Sequence, residues 1–146
     1  MNTPTYFRDL LSVEEIDEQD VSAVTALWQS CGFARSAREA VFEIATVRKC
    51  PTATILVARA NGAVVGTAVA GFDGLHGWMY DIAVDPCLRR NGIGRALVQH
   101  GEQWLRGIGA TSIRLEIRNG NRIAMQFCRE LGYADQGLTT YARQLA

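Results

Sequence analysis

The sequence has no excess of charge of either sign, because 15 lysine and arginine residues balance 15 aspartate and glutamate residues. Proteins that bind nucleic acid through its phosphates carry an excess of basic residues, which this chain lacks. Long apolar runs are also missing, and no window approaches the roughly 18 consecutive apolar residues of a membrane-spanning helix. We therefore expect neither nucleic acid nor a membrane among the partners of this chain.

Residue types that bind metals are few and scattered. The chain has two histidines, and its four cysteines form no C-x-x-C pair: Cys31, Cys50, Cys87 and Cys128. A structural zinc site needs closely spaced ligands, so we expect no metal, and free thiols in a reducing compartment. Residues 1–9 contain neither an apolar signal core nor a basic leader. We interpret them as an N-terminal extension of a cytoplasmic protein.

The residues that are present are typical of a folded chain. Hydrophobic residues make up 48% of the 146 residues and charged residues 21%, which argues against disorder. We expect one domain over residues 1–146. Apolar periodicity predicts helices between Asp20 and Gly32, between Ser36 and Pro51, over 92–106 and over 121–131. It predicts strands over 10–16, 52–60, 63–70, 78–84, 112–117, 133–135 and 138–145. Hairpins mixed with helical crossovers indicate an α/β (α+β layered) fold with a mixed sheet.

Local signals mark several of these boundaries. Asp20 and Ser36 are predicted helix N-caps, and Glu39 would complete a capping box with Ser36. The pair Asn61-Gly62 is a strong hairpin signal. We also predict a loop over 71–77, burial of strand 78–84 on both faces, a helix stop at Gly107 and Gly109, and a turn at 136–137.

The stretch that joins strand 78–84 to the next helix is the most informative part of the sequence. Arg89, Gly92 and Gly94 follow the pattern R-x-x-G-x-G at the start of that helix. The glycines leave one turn without side chains, so a ligand can lie against backbone N–H groups that have no partner within the helix. Such a helix start binds anions, usually phosphates. The alternative is an ordinary loop that bends tightly.

Two common phosphate motifs do not fit this loop. The dinucleotide motif needs a third glycine where Leu97 stands, and the tripeptide G-K-[ST] of the Walker motif is absent. The pattern that remains resembles the [RQ]-x-x-G-x-[GA] pyrophosphate loop of the GNAT superfamily of N-acetyltransferases. Residues 121–133 resemble the N-x-x-A-x-x-[FL]-Y-x-x-x-G-[FY] helix of the same family. One helix and one strand separate the two motifs, as in that family.

The resemblance covers about residues 11–145 and implies a mixed, mostly antiparallel twisted sheet flanked by about four helices. The bacterial YpeA-like acetyltransferases are the group most similar to it, through Leu27-Trp28, residues 71–74 and residues 131–133. The implied acyl donor is acetyl-CoA. The implied acceptor is a primary amine of a small molecule, an amino acid or a peptide N-terminus.

The resemblance also implies where acetyl-CoA would lie. Its pyrophosphate would lie at the helix start and its pantetheine arm along the strand edge. The N–H of Val84 would polarise the thioester carbonyl. The implied cofactor-binding residues are Ile82, Ala83, Val84, Arg89, Arg90, Asn91, Gly92, Ile93, Gly94, Arg95, Asn121, Ala124 and Phe127.

Two carboxylates are candidates for the general base. Glu116 matches the glutamate base of the ribosomal-protein N-terminal acetyltransferases, and strand alternation allows it to face the cleft. The alternative is a solvated strand residue paired with an arginine. Asp81 lies in an otherwise apolar strand, where a carboxylate needs a partner or a raised pKa. It is alternatively an edge-facing or helix-paired carboxylate.

The general acid is where this chain departs from the family pattern. Cys128 stands where many members carry the tyrosine that protonates the leaving thiolate. A thiol has a lower reference pKa than a phenol, about 8.5 against 10, but its side chain is shorter. Cys128 is therefore either a proton donor or a small residue on the helix face. In the second case water, Tyr133 or Tyr141 would assist.

The family builds its acceptor site from the first two helices and a loop near the end of the chain. Trp28, Phe33 and Trp78 are candidate apolar walls, or core residues. Asp73 and His76 are candidate polar contacts, or residues that only shape a turn. The sequence shows no acidic cluster, which argues against a polycationic substrate. A CoA-binding module or partner protein with little catalysis, a different acyl-CoA donor and a homodimer all remain open.

Overall fold

The computed structural model describes residues 10–146, so the predicted N-terminal extension lies outside the described residues. Contacts along the chain separate one compact unit, which runs through Glu116, from a second that spans Ile117–Ala146. The first unit contains the whole sheet and the second contains one helix. The single domain expected over residues 1–146 stays a prediction.

Five strands form one mixed sheet in the first unit. They are β1 (Leu11–Glu15), β2 (Ala53–Ala60), β3 (Ala63–Phe72), β4 (Gly77–Val84) and β5 (Ile113–Leu115). The strands lie in sequence order, antiparallel from β1 to β4, and β5 is parallel to β4. Asn61 and Gly62 join β2 to β3 with φ of 51° and 82°, the backbone that a tight hairpin turn requires. The predicted α/β fold with a mixed, mostly antiparallel sheet is confirmed.

The described part of the chain contains four α-helices. They are α1 (Val21–Ser30), α2 (Ala37–Arg48), α3 (Ile93–Ile108) and, in the second unit, α4 (Arg122–Glu130). The predicted capping box of α2 is only half formed. The Ser36 hydroxyl accepts from Glu39 N at 3.1 Å, but the Glu39 carboxylate accepts from Arg35 N instead. Helix α3 ends at Gly109, whose φ is 108°, so the predicted stop at Gly107 was wrong.

The sheet is covered on both faces because β2 and β3 carry apolar residues at successive positions. Ile55 and Val57 belong to a core with buried residues of α1 and α2. Leu56 and Ala58 belong to a second core with Ile93, Leu97 and Leu105 of α3. Strand β4 also contributes to both cores, with Ala83 in the first and Met79 in the second, as predicted for 78–84. The result is a three-layer arrangement with α1 and α2 on one side and α3 on the other.

A close approach to the sheet fixes the start of α3. A Cβ at Gly66 of β3 would lie 2.7 Å from the Ile93 side chain and 3.0 Å from the Ala83 carbonyl. Only glycine fits there, since both neighbours are themselves buried. This contact holds the first turn of α3, at Ile93, against β3.

Trp28 of α1 lies in the core. Its side chain is 1% exposed and its Nε1 donates to the hydroxyl of Thr67 on β3 at 2.9 Å. Phe33 packs at the margin of the same core. Phe42 of α2 is an aromatic residue close to the same core, yet it is 70% exposed. An aromatic ring that faces solvent beside a helical core needs another explanation.

Asp20, predicted to be the N-cap of α1, forms a buried ion pair instead. Its side chain makes no cap hydrogen bond to α1, whereas Asp17 caps the short 3-10 turn at Glu18–Asp20. The Asp20 carboxylate instead pairs with Arg59 of β2 through both guanidinium nitrogens, one of them at 2.7 Å. Asp20 is 5% exposed. Burial alone would raise the pKa of Asp20, but the interactions with Arg59 and Asp17 together outweigh burial and leave the pKa lowered.

Replacing Asp20 by asparagine is expected to lower the free energy of unfolding at pH 7 by about 2 kcal/mol, because a charge-assisted pair is lost. The folded pKa lies below the ordinary value of 3.8. The stabilisation is therefore present above that value and disappears as pH falls through the folded pKa. Urea unfolding at pH 7 and pH 3 measures both effects. Glu18→Gln, which breaks the exposed pair with Arg48, is the control and should change stability by less than about 0.5 kcal/mol. Equal losses in both variants would contradict the assignment.

The end of the chain differs from the prediction. Residues 133–146 contain no strand, so the predicted strands 133–135 and 138–145 were wrong. The predicted turn is present, since Gly137 has φ of 68° and donates to Asp135 Oδ1 at 2.8 Å. Leu138 and Tyr141 are exposed. Local sequence alone does not make a strand, because a strand needs a partner for its ladder.

Candidate active site

The loop between β4 and α3 is held by its own hydrogen bonds. Asp85 Oδ1 accepts from Cys87 N at 2.9 Å, which caps the short 3-10 turn at Pro86–Leu88. The Asn91 side chain donates to the Leu88 carbonyl at 2.9 Å. Arg90 and Gly92 both adopt left-handed backbone, with φ of 68° and 80°. Alternation of this kind turns successive N–H groups toward a common point and forms an anion-binding concavity.

The first turn of α3 presents donors with no partner in the helix. Gly92 is the N-cap and makes no side-chain cap bond, so nothing at that position competes for the N–H groups of Ile93, Gly94 and Arg95. A Cβ at Gly92 would meet no atom within 4 Å, so space is open above this turn. Arg89, Arg90 and Arg95 are exposed around it. This donor set fits a pyrophosphate.

Strand β4 has a free edge beside this loop. Strand β5 pairs with Gly77, Trp78 and Met79, and Glu116 N donates to the Met79 carbonyl at 2.9 Å as the last bond of that ladder. Within residues 10–146, no strand pairs with Tyr80–Val84 on this side. A ligand with amide groups can therefore add to β4 as a strand would.

A β-bulge lies on this part of β4. Thr67 pairs with Ala83 and Val69 with Tyr80, so β4 carries one residue more than β3 between the same two pairs. Asp81 is at the bulge with φ of 49°.

The bulge also sets the direction of the next backbone groups. Asp85 N donates to Val65 O of β3 at 2.9 Å, so by alternation the Val84 backbone points the opposite way, to the free edge. The Val84 carbonyl accepts from the Cys31 thiol at 3.5 Å on that side. The Val84 N–H shares this direction.

A cavity of about 240 Å³ opens on the same unit, between α1, α2 and the bulge. Its walls are Trp28, Phe42, Glu43, Thr46, Val47, Val69, Tyr80 and Asp81. Burial first, then the nearby charges of Glu39 and Asp81, raise the pKa of Glu43. Burial and the charges of Asp81, Glu116 and Glu43 raise the pKa of Tyr80. Glu43 and Asp81 therefore face one small, partly apolar space together.

Sequence reasoning missed Glu43 and Tyr80. Glu43 follows buried Ala40 by three residues and precedes buried Ile44, so it lies at the margin of the apolar face of α2. A carboxylate at that position was an available signal. Asp81, by contrast, was predicted and lies in the cavity wall.

Glu116 lies just beyond β5 and is exposed. The predicted strand 112–117 is shorter than expected, because β5 covers only Ile113–Leu115. Glu116 is outside the cavity wall that contains Asp81, although the charges of both carboxylates act on Tyr80.

Asp73, His76 and Trp78 lie at the other end of β4. The predicted loop 71–77 is confined to residues 73–76, since Phe72 and Gly77 belong to strands. The Asp73 carboxylate accepts from Leu75 N, His76 N and Trp78 Nε1, and these bonds lower the pKa of Asp73 to about 2.

Neighbouring side chains complete this network. His76 contacts the Ser112 hydroxyl at 3.0 Å, and the guanidinium of Arg114 lies 5.3 Å from the centre of the Trp78 ring. These groups are roughly 20 Å along β4 from the loop at Arg89, judging by strand rise.

In the second unit, Asn121 caps α4. Its Oδ1 accepts from Ala124 N at 3.1 Å, as expected of an asparagine at a helix N-terminus. Phe127 and Cys128 follow on the same helix. Burial raises the pKa of the Cys128 thiol, which is therefore protonated at neutral pH.

Within residues 10–146, neither a cluster of metal-ligand residues nor a helix suited to crossing a membrane is present. No group of three or more histidine, cysteine or acidic side chains there is arranged to hold a metal ion. None of the helices in this part of the chain combines the length and the apolar character that crossing a membrane requires.

Solved structures share this fold. The aminoglycoside N-acetyltransferase AAC(6')-Iy in complex with CoA superimposes with a TM-score of 0.83 at 14% identity, over 93% of this chain and 95% of that one. An acetyltransferase of Trypanosoma brucei gives 0.73 at 23% identity, over 92% and 99%. Glucosamine-6-phosphate N-acetyltransferase of Arabidopsis thaliana gives 0.74 at 14% identity, over 91% and 99%.

At these identities the structures establish the fold alone. The sequence itself matches the profile of the acetyltransferase (GNAT) family over residues 15–133, which is most of the chain. That match includes the loop at Arg89, the strand with the free edge and the helix that Asn121 caps. The chain therefore belongs to the acetyltransferase (GNAT) family.

Proposed function

We propose that the protein is an N-acetyltransferase that transfers the acetyl group of acetyl-CoA to a primary amine. The observation that carries this proposal is the uncapped first turn of α3 at the end of a strand with a free edge. Backbone N–H groups there suit a pyrophosphate, and the edge suits the amides of a pantetheine arm. When bound, acetyl-CoA supplies a thioester whose carbonyl carbon accepts the amine and whose thiolate departs.

Each part of this site has a task in the proposal. The backbone from Arg89 to Arg95 holds the pyrophosphate, and the edge at Ile82–Val84 holds the pantetheine. The Val84 N–H donates to the thioester oxygen as negative charge develops on it. Asn121, Ala124 and Phe127 are proposed cofactor contacts, on the resemblance alone.

The proton steps need a base and an acid. An alkyl ammonium has a pKa near 10.4 and is almost wholly charged at pH 7, so a nearby base is needed before attack. Asp81 is the better placed of the two predicted bases, because it lies in the cavity at the bulge. Glu116 remains the second candidate. Cys128, protonated at neutral pH, is the proposed acid, with water, Tyr133 or Tyr141 as alternatives.

The relatives support a small-molecule acceptor. The solved neighbours include an aminoglycoside and a glucosamine-6-phosphate N-acetyltransferase, both of which modify amines of small molecules. We propose the YpeA-like group as the subfamily, a cytoplasmic location and a homodimer as extensions of the sequence prediction. The earlier proposals for Phe33, Asp73, His76 and Trp78 as acceptor contacts rest on the sequence alone.

The experiment that tests the function combines binding with turnover. Calorimetry with CoA should show one site, and release of thiol from acetyl-CoA should depend on an added primary amine. Asp81→Asn and Glu116→Gln then compare the two bases, since the true base should show the larger loss of kcat at unchanged CoA affinity. Absence of CoA binding to the wild-type protein would refute the proposal.

A second function has one specific observation in its favour. Cys128 replaces the usual tyrosine and its thiol is a weaker acid than an ordinary one, which suits a CoA-binding module with little catalysis. Turnover by Cys128→Tyr but not by the wild type would favour this module. Turnover by the wild type would exclude it. Parallel assays with propionyl-CoA and succinyl-CoA test the alternative donors.

A further inference from the structure

The cavity beside the bulge has walls of two kinds. The accessible apolar wall is Tyr80 of the sheet with Phe42 and Val47 of α2, whereas Trp28 and Val69 lie beneath it with at most 1% of their surface exposed. Phe42 is 70% exposed although it borders this cavity, and a ligand in the cavity would cover part of its ring. Exposed aromatic surface at the mouth of a concave site is typical of ligand recognition.

Negative charge is placed opposite these apolar walls. Glu43 enters from α2 and Asp81 from the bulge of β4. The charge of Asp81 acts on Glu43 strongly enough to help raise the Glu43 pKa, so the two carboxylates lie within electrostatic range of each other. Glu39, on the helical turn before Glu43, adds to this effect from outside the cavity wall. A cation between Glu43 and Asp81 would relieve the repulsion.

Size limits what the cavity accepts. Its volume of about 240 Å³ is smaller than the roughly 300–1,000 Å³ of sites for drug-sized ligands. A compact molecule fills it, whereas an aminoglycoside with several rings and several ammonium groups does not. A phosphorylated amino sugar would bring its phosphate toward two carboxylates, which opposes binding.

We propose that this cavity binds the acceptor amine and selects a compact monoamine with an aromatic or branched apolar body. The ammonium group lies between Glu43 and Asp81, and the apolar body packs against Tyr80, Phe42 and Val47. This inference rests on the proposed function and adds to it a substrate class and a specificity residue, Glu43. It separates this chain from neighbours that act on aminoglycosides and on glucosamine 6-phosphate.

The test uses 2-phenylethylamine, tobramycin and glucosamine 6-phosphate as probes. Each is titrated by calorimetry into the full-length protein, with and without CoA, and assayed for thiol release from acetyl-CoA. We expect 2-phenylethylamine to bind and to have the highest kcat/KM. In Glu43→Gln its dissociation constant and KM should rise about 10- to 100-fold, the effect of losing a charged hydrogen-bond partner. CoA affinity should not change.

Two further variants control for indirect effects. Glu39→Gln makes the same change of charge one helical turn away, outside the cavity wall, and should leave the KM for 2-phenylethylamine within about twofold of wild type. In Thr46→Phe the larger side chain, at an exposed position, fills the mouth of the cavity. This variant should bind 2-phenylethylamine more weakly and CoA with unchanged affinity.

The outcomes separate this inference from the proposed function. Equal effects of Glu43→Gln and Glu39→Gln, preference for tobramycin or glucosamine 6-phosphate, or no binding of 2-phenylethylamine would each overturn the acceptor assignment. CoA binding and amine-dependent turnover could survive all three results. Failure of the wild-type protein to bind CoA would instead refute the proposed function. The titration of 2-phenylethylamine without CoA would still show whether the cavity binds this amine.

Discussion

Replacing Gly92 by aspartate is expected to weaken CoA binding by about 100-fold while lowering the free energy of unfolding by only about 1 kcal/mol. Gly92 is the N-cap of α3, and a side chain there would meet open space. Its left-handed backbone, with φ of 80°, strains an aspartate by about 1 kcal/mol and differs from the extended backbone of an ordinary side-chain N-cap. The carboxylate would stand beside the N–H groups that a pyrophosphate needs and repel its charge.

Asparagine at the same position is the matched control. Asparagine and aspartate have nearly the same shape, and both tolerate the left-handed backbone that Gly92 adopts with φ of 80°. Gly92→Asn should therefore weaken CoA binding by less than Gly92→Asp, by about tenfold, because it fills the same space with the same backbone strain but adds no charge. Calorimetry gives the affinities and thermal unfolding gives the stability. Wild-type affinity in Gly92→Asp would show that CoA does not use this helix start.

Truncating Trp28 to alanine should have the largest effect on stability, a loss of about 3–5 kcal/mol in the free energy of unfolding. The indole is 1% exposed in the core between α1, α2 and the sheet, and its removal leaves a large void. It also leaves the hydroxyl of Thr67, which is fully buried, without the donor that it has now. Urea unfolding of the wild type and the variant measures the loss.

Two smaller changes divide this loss into packing and hydrogen bonding. Trp28→Phe keeps most of the ring volume but removes the donor, and should cost about 1–2 kcal/mol. Thr67→Val removes the acceptor, and the double variant should be less destabilised than the sum of the single ones, because neither partner is then left alone. A loss below about 1 kcal/mol in Trp28→Ala would contradict its place in the core.

The loop at Gly92 and the two helix starts were predictable because they depend on residues close together in sequence. The left-handed backbone at Gly92, the helix start after it and the cap by Asn121 depend on interactions within a few residues, so the motif carries them. The hairpin at Asn61-Gly62 was predictable for the same reason. Apolar periodicity likewise indicated the main strands and helices, since each element buries one face or both.

Contacts between distant residues were not predictable in this way. Asp20 looked like an N-cap because capping is local, but its carboxylate pairs with Arg59, 39 residues away. Phe42 stands two residues from both buried Ala40 and buried Ile44, so it is off the covered face of α2, and only the structure shows that it borders a cavity there. Residues 133–146 form no strand, because a ladder needs a partner that no pattern within the segment supplies.

The sequence by itself determined the family, the layered α/β fold and the glycine-capped start of α3. All three depend on local backbone preferences and on motif spacing. Only the tertiary structure decided which side chains share the cavity at the bulge. Glu43 and Asp81 come from a helix and a strand 38 residues apart, and the register of β4 on β3 sets where the bulge lies. Packing of α1 and α2 on the sheet brings the two carboxylates together, which the local pattern around either residue does not encode.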